Sequence, residues 1–253
     1  MFKKLFASDA LGHSYVLKRL LIGATGIFLY PRFMRHNKLR LFETELLKEL
    51  PDRNVLFVCN HETYFADVIG LYMAFFSFKN GFGNNISTPF FFLRPKLNSY
   101  YVAAEETMKA GLMPKILTYA GCVSIKRTFR EAGKDINRQV DMRDFSNIGL
   151  ALSDGWVVTF PQGTTTPFAP GRRGTIHIIK KYKPIVVPVV IKGFSSAFVK
   201  KGLKLAGKGV EMSIRFKSPL NIDYEDDANA ILQQIMHAIE QTEEFRKEKN
   251  GTE

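Results

Sequence analysis

The chain has 253 residues, of which 45% are apolar and 24% are charged. This length and apolar share predict one large folded domain, or two small ones, and exclude a disordered chain. The 36 Lys and Arg residues outnumber the 24 Asp and Glu residues, so the formal net charge is +12 and the surface favours anionic partners. No zinc spacing, basic arm or aromatic–glycine signature accompanies these cations, so we exclude nucleic acid and favour a membrane surface or a phosphate-bearing substrate.

The first predicted element is an apolar segment at residues 20–30. Its 11 residues are too few to span a bilayer, which needs about 20. Cations and aromatic residues flank it, which suits a helix lying in the headgroup layer; a buried core helix with basic ends is the alternative. We favour the first, and so predict an N-terminal membrane-interface helical segment at residues 1–45 and a separate domain at residues 46–253. Residues 2–6 resemble the start of a signal peptide, but the polar residues directly after them argue against an export signal.

Past residue 50, candidate strands and helices alternate. The predicted strands are residues 55–60, 89–94, 122–126, 156–160, 185–191 and 210–216. The predicted helices are residues 67–78, 105–120, 136–152, 174–182 and 227–247. This alternation predicts an α/β domain with a mixed, largely parallel sheet flanked by helices, in which the chemistry gathers at strand ends. Pro114 is expected to bend or break its helix, and Pro188 to place its strand at an edge or a bulge.

Two cysteines, Cys59 and Cys122, both fall in apolar, strand-like runs. They form neither a disulfide framework nor a metal spacing, which indicates a reducing cytoplasm. Cys59 is two residues before His61, and an extended strand would place both side chains on one side, so a thiol nucleophile is geometrically possible. The apolar run before Cys59 favours the alternative, a buried and inert thiol.

The pair His61 and Asp67 carries the first indication of chemistry. His61 follows the predicted strand at residues 55–60, and Asp67 opens the predicted helix at residues 67–78. A histidine held by a carboxylate commonly removes a proton from a hydroxyl or an amine. Positions six apart on one helix lie about 240° apart, so the two side chains cannot share a helix face. They can meet only if His61 lies in the loop and Asp67 lies in the first helical turn.

Four strand ends carry polar or glycine-containing motifs. In chain order they are residues 60–67 (NHETYFAD), 121–127 (GCVSIKR), 160–166 (FPQGTTT) and 187–191 (VPVVI). Their order, spacing and context resemble the four sequence blocks of the PlsC-like glycerolipid acyltransferases, a family that includes the 1-acylglycerol-3-phosphate acyltransferases. The resemblance covers roughly residues 50–195, and it makes residues 46–253 an acyltransferase domain. It implies transfer of a fatty acyl group from acyl-CoA or acyl-carrier protein to a lysophospholipid hydroxyl, in phospholipid biosynthesis.

The resemblance also implies the role of each block. His61 would be the general base and Asp67 the acid that orients its imidazole and stabilises the imidazolium. The thioester donor is already activated, so neither a covalent enzyme intermediate nor a cofactor or metal is expected, and the fourth block has no catalytic role. The predicted substrate-binding residues are Asn60, Lys126, Arg127, Gln162, Gly163, Thr164, Thr165, Arg172 and Arg173.

Two of these blocks suit anions. In the family the arginine equivalent to Arg127 helps to hold the acceptor phosphate, for which a guanidinium fork is well shaped. Gly163 and the threonines after it offer backbone N–H groups and hydroxyls to an anion or a developing oxyanion. An ordinary solvated basic pair at Lys126 and Arg127, and a simple glycine turn at Gly163, are the alternatives.

The sequence departs from the family at three places. Five residues separate His61 from Asp67, where the family has four; Gln162 stands in place of a glutamate, and Thr165 in place of an arginine. Arg172 and Arg173 could replace the missing cation. These departures leave three hypotheses: an acyltransferase acting on a phosphate-bearing acceptor, the same chemistry on a non-phosphate acceptor such as a lyso-aminolipid or a pigment precursor, and a catalytically silent membrane-binding homologue.

The expected setting follows from the charge, the N-terminal segment and the resemblance together. We predict a peripheral or monotopic protein on the cytoplasmic face of the inner (cytoplasmic) membrane. Its expected partners are the membrane surface, anionic lipid, the lyso-lipid acceptor and an acyl-thioester donor, with acyl-carrier protein as one form of that donor.

Overall fold

The computed structural model describes residues 7–108, 112–126, 130–131, 134–135 and 142–251. Arg127 and residues 136–141, the first part of the predicted helix at residues 136–152, lie outside these ranges. The strands are β1 (Lys38–Phe42), β2 (Val55–Cys59), β3 (Ser99–Ala104), β4 (Cys122–Ile125), β5 (Arg130–Glu131), β6 (Lys134–Asp135), β7 (Trp156–Thr159), β8 (Ile185–Lys192) and β9 (Glu211–Phe216). The helices are α1 (Tyr15–Met34), α2 (Ala66–Lys79), α3 (Glu105–Met108), α4 (Leu112–Tyr119), α5 (Met142–Asp154), α6 (Arg173–Tyr182), α7 (Phe194–Ala197), α8 (Ala228–Ala238) and α9 (Glu243–Gly251).

Seven of these strands form one sheet in the order β1-β9-β8-β2-β7-β3-β4. The strands β8, β2, β7, β3 and β4 are mutually parallel. The strand β9 runs antiparallel to β8 and parallel to β1, so the sheet is mixed but largely parallel. The prediction of such a sheet flanked by helices is confirmed.

The central strand β2 shows why the chain folds in three layers. All five of its residues are buried, as expected for a parallel strand covered on both faces. Phe57 and Cys59 belong to one core cluster, with residues of α1, α2 and α7. Leu56 and Val58 belong to the second cluster, with residues of α5, α6 and α8. The continuous apolar run of β2 therefore fixes the centre of the sheet, and its carboxyl end delivers residues 60–67 to one edge.

The predicted strand at residues 89–94 is wrong. Residues Pro89–Leu93 form a 3-10 helix, with the proline in its first turn, where a missing N–H is tolerated. Phe91 and Phe92 are both buried, whereas a half-buried strand would alternate. The strand of this region is β3, which begins at Ser99 and which the sequence pattern did not indicate.

The prediction that Pro188 marks an edge strand or a bulge is also wrong. The strand β8 is central, between β9 and β2. The carbonyl of Pro188 accepts from the N–H of Lys217 at 3.0 Å, one residue past Phe216, where β9 ends. In a strand the N–H and C=O of one residue point to the same side, so the nitrogen of Pro188 also faces β9. Because β9 has ended at that point, the missing N–H of Pro188 removes no hydrogen bond between the two strands.

One long predicted helix is divided in the structure, and another is described only in part. In the predicted range 105–120 the described residues form α3 and α4, with residues 109–111 outside the description, and Pro114 is the third residue of α4. Two helices, α8 and α9, occupy the predicted range 227–247, because Glu240 between them adopts the left-handed conformation (φ 58°).

The Glu240 carboxylate is held by two lysines. It lies 2.7 Å from Lys192 Nζ and 3.1 Å from Lys217 Nζ. Burial alone would raise the pKa of Glu240, but these two ammonium groups lower it below the ordinary value.

The N-terminal segment packs directly on the domain. The strand β1 pairs with β9, so residues 38–42 belong to the main sheet. Helix α1 lies against the 3-10 helix at residues 89–93, where a Cβ on Gly26 would come within 2.3 Å of the Phe92 ring. Bulkier residues at that contact would separate the helix from the domain. Within the described ranges, no helix has the length and apolarity needed to cross a bilayer.

A buried polar cluster attaches the start of α1 to the amino ends of the strands. Lys18 Nζ lies 3.2 Å from Asp9 Oδ2, with both side chains almost fully buried, and 3.5 Å from the centre of the Tyr100 ring. The hydroxyls of Tyr15 and Tyr100 donate to the carboxylate of Asp154, the last residue of α5, two residues before β7 begins. Burial lowers the pKa of Lys18 to about 8, against a smaller opposing effect of Asp9. This cluster lies at the sheet end opposite to residues 60–67.

The depressed pKa of Lys18 predicts a pH-dependent stability. Between its folded pKa of about 8 and the ordinary 10.5, the unfolded state holds a proton that the folded state has released, so the free energy of unfolding rises with pH. We expect a gain of about 2 kcal/mol from this group between pH 7.5 and pH 9.5, measured by urea unfolding. The Lys18→Met variant should lose this slope; an equal slope in both proteins would contradict the assignment. Burial raises the pKa of Tyr15 and Tyr100, so their contribution appears only at higher pH.

Candidate active site

The carboxyl end of β2 is fixed to β8 by a side-chain amide. Asn60 Nδ2 donates to the carbonyl of Ile191 at 2.7 Å, and the N–H of Ile191 donates to Asn60 Oδ1 at 2.7 Å. The side chain is buried. Both ends of the Asn60 amide are therefore occupied by backbone, and its role in the structure is to fix the position from which the loop to α2 departs.

His61 and Asp67 meet directly. His61 lies in the loop after β2, and Asp67 is the second residue of α2. His61 Nδ1 lies 2.9 Å from Asp67 Oδ2. The geometric condition set by the spacing, a histidine in the loop and an acid in the first helical turn, is confirmed. A carboxylate only accepts, so Nδ1 is the donor of this contact, and in the neutral imidazole Nε2 then keeps its lone pair.

The Asp67 carboxylate is completely buried and accepts several further hydrogen bonds. The N–H of Glu62 donates to Oδ2 at 2.7 Å, and the hydroxyl of Thr63 donates to Oδ1 at 2.6 Å. The N–H of Thr63 reaches both oxygens, at 3.1 and 3.2 Å. These donors compensate for the burial of the charge and hold the acid in one orientation. The loop with its additional residue thus folds around the carboxylate rather than away from it.

Two aromatic rings flank the imidazole. The Phe160 ring is stacked on His61, with centroids 3.9 Å apart and an angle of 21° between planes. Tyr64 lies on a more distant, nearly parallel plane, with centroids 6.5 Å apart. Phe160 directly follows β7, which is the parallel neighbour of β2, so the two loops leave the same edge of the sheet side by side. The His61 side chain is 14% exposed, so it lies at a partly covered surface and not in the core.

The third block is a turn with internal hydrogen bonds. The buried amide of Gln162 donates from Nε2 to the carbonyl of Ala169 at 2.9 Å and to Gln241 Oε1 at 3.2 Å. Gly163 has φ +63°, and its N–H donates to the carbonyl of Phe160 at 2.9 Å. The hydroxyl of Thr164 accepts from the N–H of Thr166 at 3.3 Å. Gln162 and the Gly163 N–H are therefore engaged in holding the turn beside His61.

The chain matches a known family over most of this region. A family model described as "Acyltransferase" matches residues 41–192, more than half of the 253 residues. The chain belongs to the acyltransferase family. The matched range contains the His61–Asp67 pair and all four motifs.

A solved structure has the same fold as this acyltransferase. The crystal structure of the 1-acyl-sn-glycerophosphate (LPA) acyltransferase PlsC from Thermotoga maritima superposes with a TM-score of 0.54 and 15% sequence identity. The match covers 94% of this chain and 83% of that chain. No curated protein matches the chain. The family match shows that this chain is an acyltransferase, and the superposition shows that its fold is that of the PlsC structure.

The predicted basic residues of the acyltransferase are spread along the site edge. Lys126 is exposed after β4, and its N–H donates to Asp144 Oδ2 at 2.8 Å. The strands β7 and β3 lie between β4 and β2, which puts the ends of β4 and β2 about 14 Å apart. The backbone N–H of Arg172 donates to Pro161 at 2.8 Å, next to the third block, whereas Arg173 Nη2 donates to Asn229 on α8 at 3.1 Å. The backbone of Arg172 is therefore held at the third block, whereas the Arg173 side chain is directed to α8 and Lys126 lies farther along the sheet edge.

The cysteines of the acyltransferase do not reach the site edge. Cys59 is fully buried, and burial raises the pKa of its thiol well above the ordinary value, with the Asp67 charge adding to the shift. Burial likewise raises the pKa of Cys122 to about 11. The interpretation of Cys59 as a nucleophile is wrong, and both thiols are core residues. In the part of the chain that the structure describes, no group of three or more His, Cys, Asp and Glu side chains could hold a metal ion.

The sequence reasoning missed three residues around the pair. Glu62 Oε2 accepts from the N–H of Ser195 at 2.9 Å and from its hydroxyl at 3.3 Å, which ties the loop after β2 to the segment after β8. Burial raises the pKa of Glu62, the Ser195 N–H lowers it, and the nearby Asp67 charge raises it further, with a net upward shift. The third is Phe160, the first residue of the quoted third motif. Only its position at the end of β7, beside β2, indicates that its ring reaches His61.

Proposed function

We propose that this acyltransferase transfers a fatty acyl group from an acyl-CoA or acyl-carrier-protein thioester to the hydroxyl of a lysophospholipid such as 1-acylglycerol-3-phosphate. The observation that carries the proposal is the 2.9 Å contact between His61 Nδ1 and Asp67 Oδ2 at the edge of the sheet, which leaves Nε2 for the substrate. The name of the Thermotoga maritima structure, a lysophosphatidic acid acyltransferase, supports the acceptor class.

The proposed reaction needs one base and no covalent enzyme intermediate. His61 Nε2 takes the proton of the acceptor hydroxyl as its oxygen attacks the thioester carbonyl carbon. Asp67 stabilises the imidazolium that forms, and the stacked Phe160 ring keeps the imidazole in plane. The tetrahedral intermediate then collapses, the carbon–sulfur bond breaks, and the thiolate takes the proton back from Nε2. The products are the acylated acceptor and the free thiol, and the enzyme returns to its starting state without a cofactor.

Arg172 is the best placed of the described cations to hold an acceptor phosphate. Its backbone is bonded to the third block through Pro161, it is exposed, and it directly precedes the ten-residue helix α6, whose N-terminus favours an anion. A non-phosphate acceptor is the second candidate, and a specific observation favours it. Thr165, which stands in place of the family arginine, is a buried neutral side chain, and Arg173 is bonded to Asn229. The site therefore has fewer cations facing it than the family pattern would supply.

An acceptor panel with a matched pair of variants separates these candidates. We expect Arg172→Gln to raise the KM for 1-acylglycerol-3-phosphate about tenfold, because a guanidinium–phosphate contact is lost. The KM for a monoacylglycerol or a lyso-aminolipid should not change. Arg173→Gln removes the same charge one residue later and should leave both KM values within about twofold.

Equal KM changes for charged and neutral acceptors would contradict the phosphate role of Arg172. Product formation from neutral acceptors only would establish the second candidate. Purified protein that forms no product with any acceptor from acyl-CoA or from acyl-carrier protein would overturn the proposed function altogether.

We also propose that the protein associates peripherally or monotopically with the inner (cytoplasmic) membrane at its cytoplasmic face. Helix α1 supports this, because its outward side presents Leu17, Leu20 and Phe28, which are 46%, 65% and 68% exposed. The opposite side of α1 is buried against the domain. Apolar side chains therefore occur on both sides of the helix, and the domain covers only one of them. Arg19 and Arg35 flank the exposed side, as expected for a helix in the headgroup layer.

A further inference from the structure

One exposed segment near the site is strongly basic and has no role in the proposed chemistry. It comprises residues 193–209, between β8 and β9, and we refer to it as the lysine loop. It contains four lysines and no Asp or Glu. All four are exposed, and no ion pair within the described ranges holds any of them: Lys200, Lys201, Lys204 and Lys208. Four like charges in nine residues repel one another, so this loop gains stability when an external anion is near.

The lysine loop is attached to the loop that carries His61. The N–H of Tyr64 donates to the carbonyl of Lys200 at 3.0 Å. Ser195, at the start of the lysine loop, donates twice to Glu62. Three hydrogen bonds therefore join the lysine loop to residues 62–64, directly after His61, and Lys200 lies at the rim of the proposed active site.

The same loop is attached to the carboxyl-terminal end of α1. Arg32 Nη1 donates to the carbonyl of Leu203 at 2.8 Å. The rings of Phe33 and Phe198 are in contact, with centroids 4.8 Å apart. The Arg32 guanidinium also lies over the exposed Phe28 ring, 5.7 Å from its centre, so the lysine loop adjoins the outward side of α1 at its carboxyl-terminal end. Val199, at 44% exposed, adds an apolar side chain beside Lys200.

We propose that the lysine loop binds the headgroups of anionic lipids and thereby places the rim of the His61 site against the membrane. The inference extends the proposed membrane association and rests on it. A single bound phosphate needs converging donors, whereas separated lysines on an exposed loop fit a broad anionic surface. An acidic protein would offer such a surface too, but it would leave the adjoining apolar residues of α1 in water. An anionic bilayer accommodates both features at once.

Vesicle binding of the full chain provides the first test. We expect binding to phosphatidylcholine vesicles containing a third phosphatidylglycerol to exceed binding to pure phosphatidylcholine vesicles. Replacing all four lysines with Gln should weaken binding to the anionic vesicles by tenfold or more: Lys200, Lys201, Lys204 and Lys208. Each lysine near an anionic surface contributes up to about fivefold to the affinity. High salt should weaken binding of the unmodified chain in the same way, because the charges are exposed.

A matched control removes the same charge from the opposite side of the molecule. The replaced residues are Lys48, Lys180, Lys181 and Lys183. Lys48 lies in the segment before the amino end of β2, and the other three lie at the end of α6, on the other face of the sheet and before the amino end of β8. This control should keep at least half of the anionic-vesicle affinity. Replacing the four loop lysines with Arg should restore it, which a merely structural requirement for lysine would not predict.

A label in the loop tests the contact itself. Both native cysteines are buried, so Val199→Cys provides one accessible thiol for an environment-sensitive maleimide dye. Its emission should shift to shorter wavelength on anionic vesicles. The same dye at Lys181→Cys should not respond.

Three outcomes would overturn the inference. Binding that is equally weakened by both quadruple variants would show a nonspecific effect of charge. A label at residue 199 that does not shift on bound vesicles would place the loop away from the membrane. Loop variants that keep vesicle binding but lose reaction with acyl-carrier protein alone would assign the loop to an acidic protein. None of the vesicle measurements requires catalysis. The inference about the lysine loop can therefore be wrong while the proposed acyl transfer is right, and the proposed acyl transfer can be wrong while the inference is right.

Discussion

Replacing His61 with alanine is expected to lower kcat by about 10³-fold, with little change in the melting temperature. Loss of a general base typically costs about 10²–10⁴-fold in rate. The structural cost should be small, since the imidazole lies at a partly covered surface and its main contacts are Asp67 and the stacked Phe160 ring. Product formation from acyl-CoA and a lysophospholipid, followed under single-turnover conditions, measures the chemical step.

The matched control is His177→Ala. His177 is exposed on α6, on the far face of the sheet, where its ring contacts the edge of Phe145. We expect full activity from this variant. A His61→Ala protein that is folded and retains more than a tenth of the original kcat would exclude His61 as the base, and acyl transfer would then depend on another group.

The contact between His61 and Asp67 could be predicted because the spacing of the two residues allowed only one geometry. Two residues six positions apart cannot lie on the same face of a helix. A contact between His61 and Asp67 therefore requires His61 to lie in a loop and Asp67 to lie in the first turn of a helix. Both are marked in the sequence, by the apolar run that ends at Cys59 and by the apolar run that begins at Val68. The sheet could be predicted for a similar reason, since continuous apolar runs alternating with helical patterns indicate a largely parallel sheet.

The roles of the polar residues around the pair could not be predicted, because they depend on which strands become neighbours. Asn60 was a candidate for substrate binding, but β8 lies beside β2, and Ile191 occupies both ends of the amide. Gln162 was read as a glutamate without its charge, but its amide is bonded to Ala169 and to Gln241, 79 residues away in the chain. No local pattern specifies contacts of that sequence separation.

The wrong secondary-structure predictions share a physical cause. Phe90, Phe91 and Phe92 have high strand propensity, yet tertiary packing decides their conformation. A helical turn lets Phe91 and Phe92 enter the same core against α1 and α2, whereas a strand would direct one of them outward. The prediction for Pro188 assumed that a central strand needs a hydrogen bond from every backbone N–H. The neighbouring strand β9 ends at Phe216, so no residue of that strand stands opposite Pro188 to accept such a bond.

Replacing Asp67 with asparagine is expected to impair both catalysis and folding. The carboxylate is fully buried and receives donors from Glu62, Thr63 and His61. An asparagine NH2 in place of Oδ2 would face the N–H groups of Glu62 and Thr63. In place of Oδ1 it could donate to the Thr63 hydroxyl oxygen, but that hydroxyl would lose its acceptor, so either orientation leaves a buried donor unpaired. We expect a loss of about 2–3 kcal/mol in the free energy of unfolding. We also expect kcat to fall by about 10³–10⁴-fold, because the imidazole loses the acid that fixes its tautomer.

The variant Thr63→Val separates the two effects of Asp67. It removes the 2.6 Å hydroxyl contact to Oδ1, together with the longer 3.3 Å contact from the Asp67 N–H, but leaves the charge and the contact to His61 Nδ1. Its stability should fall by about 1–2 kcal/mol, as for one lost hydrogen bond to a charged group, while kcat should fall by less than tenfold. If Asp67→Asn lowers stability but keeps kcat within tenfold of the original, then Asp67 only supports the loop. If kcat collapses in Asp67→Asn but not in Thr63→Val, then the negative charge behind His61 is what the reaction requires, because both variants weaken the same loop and only one removes the anion.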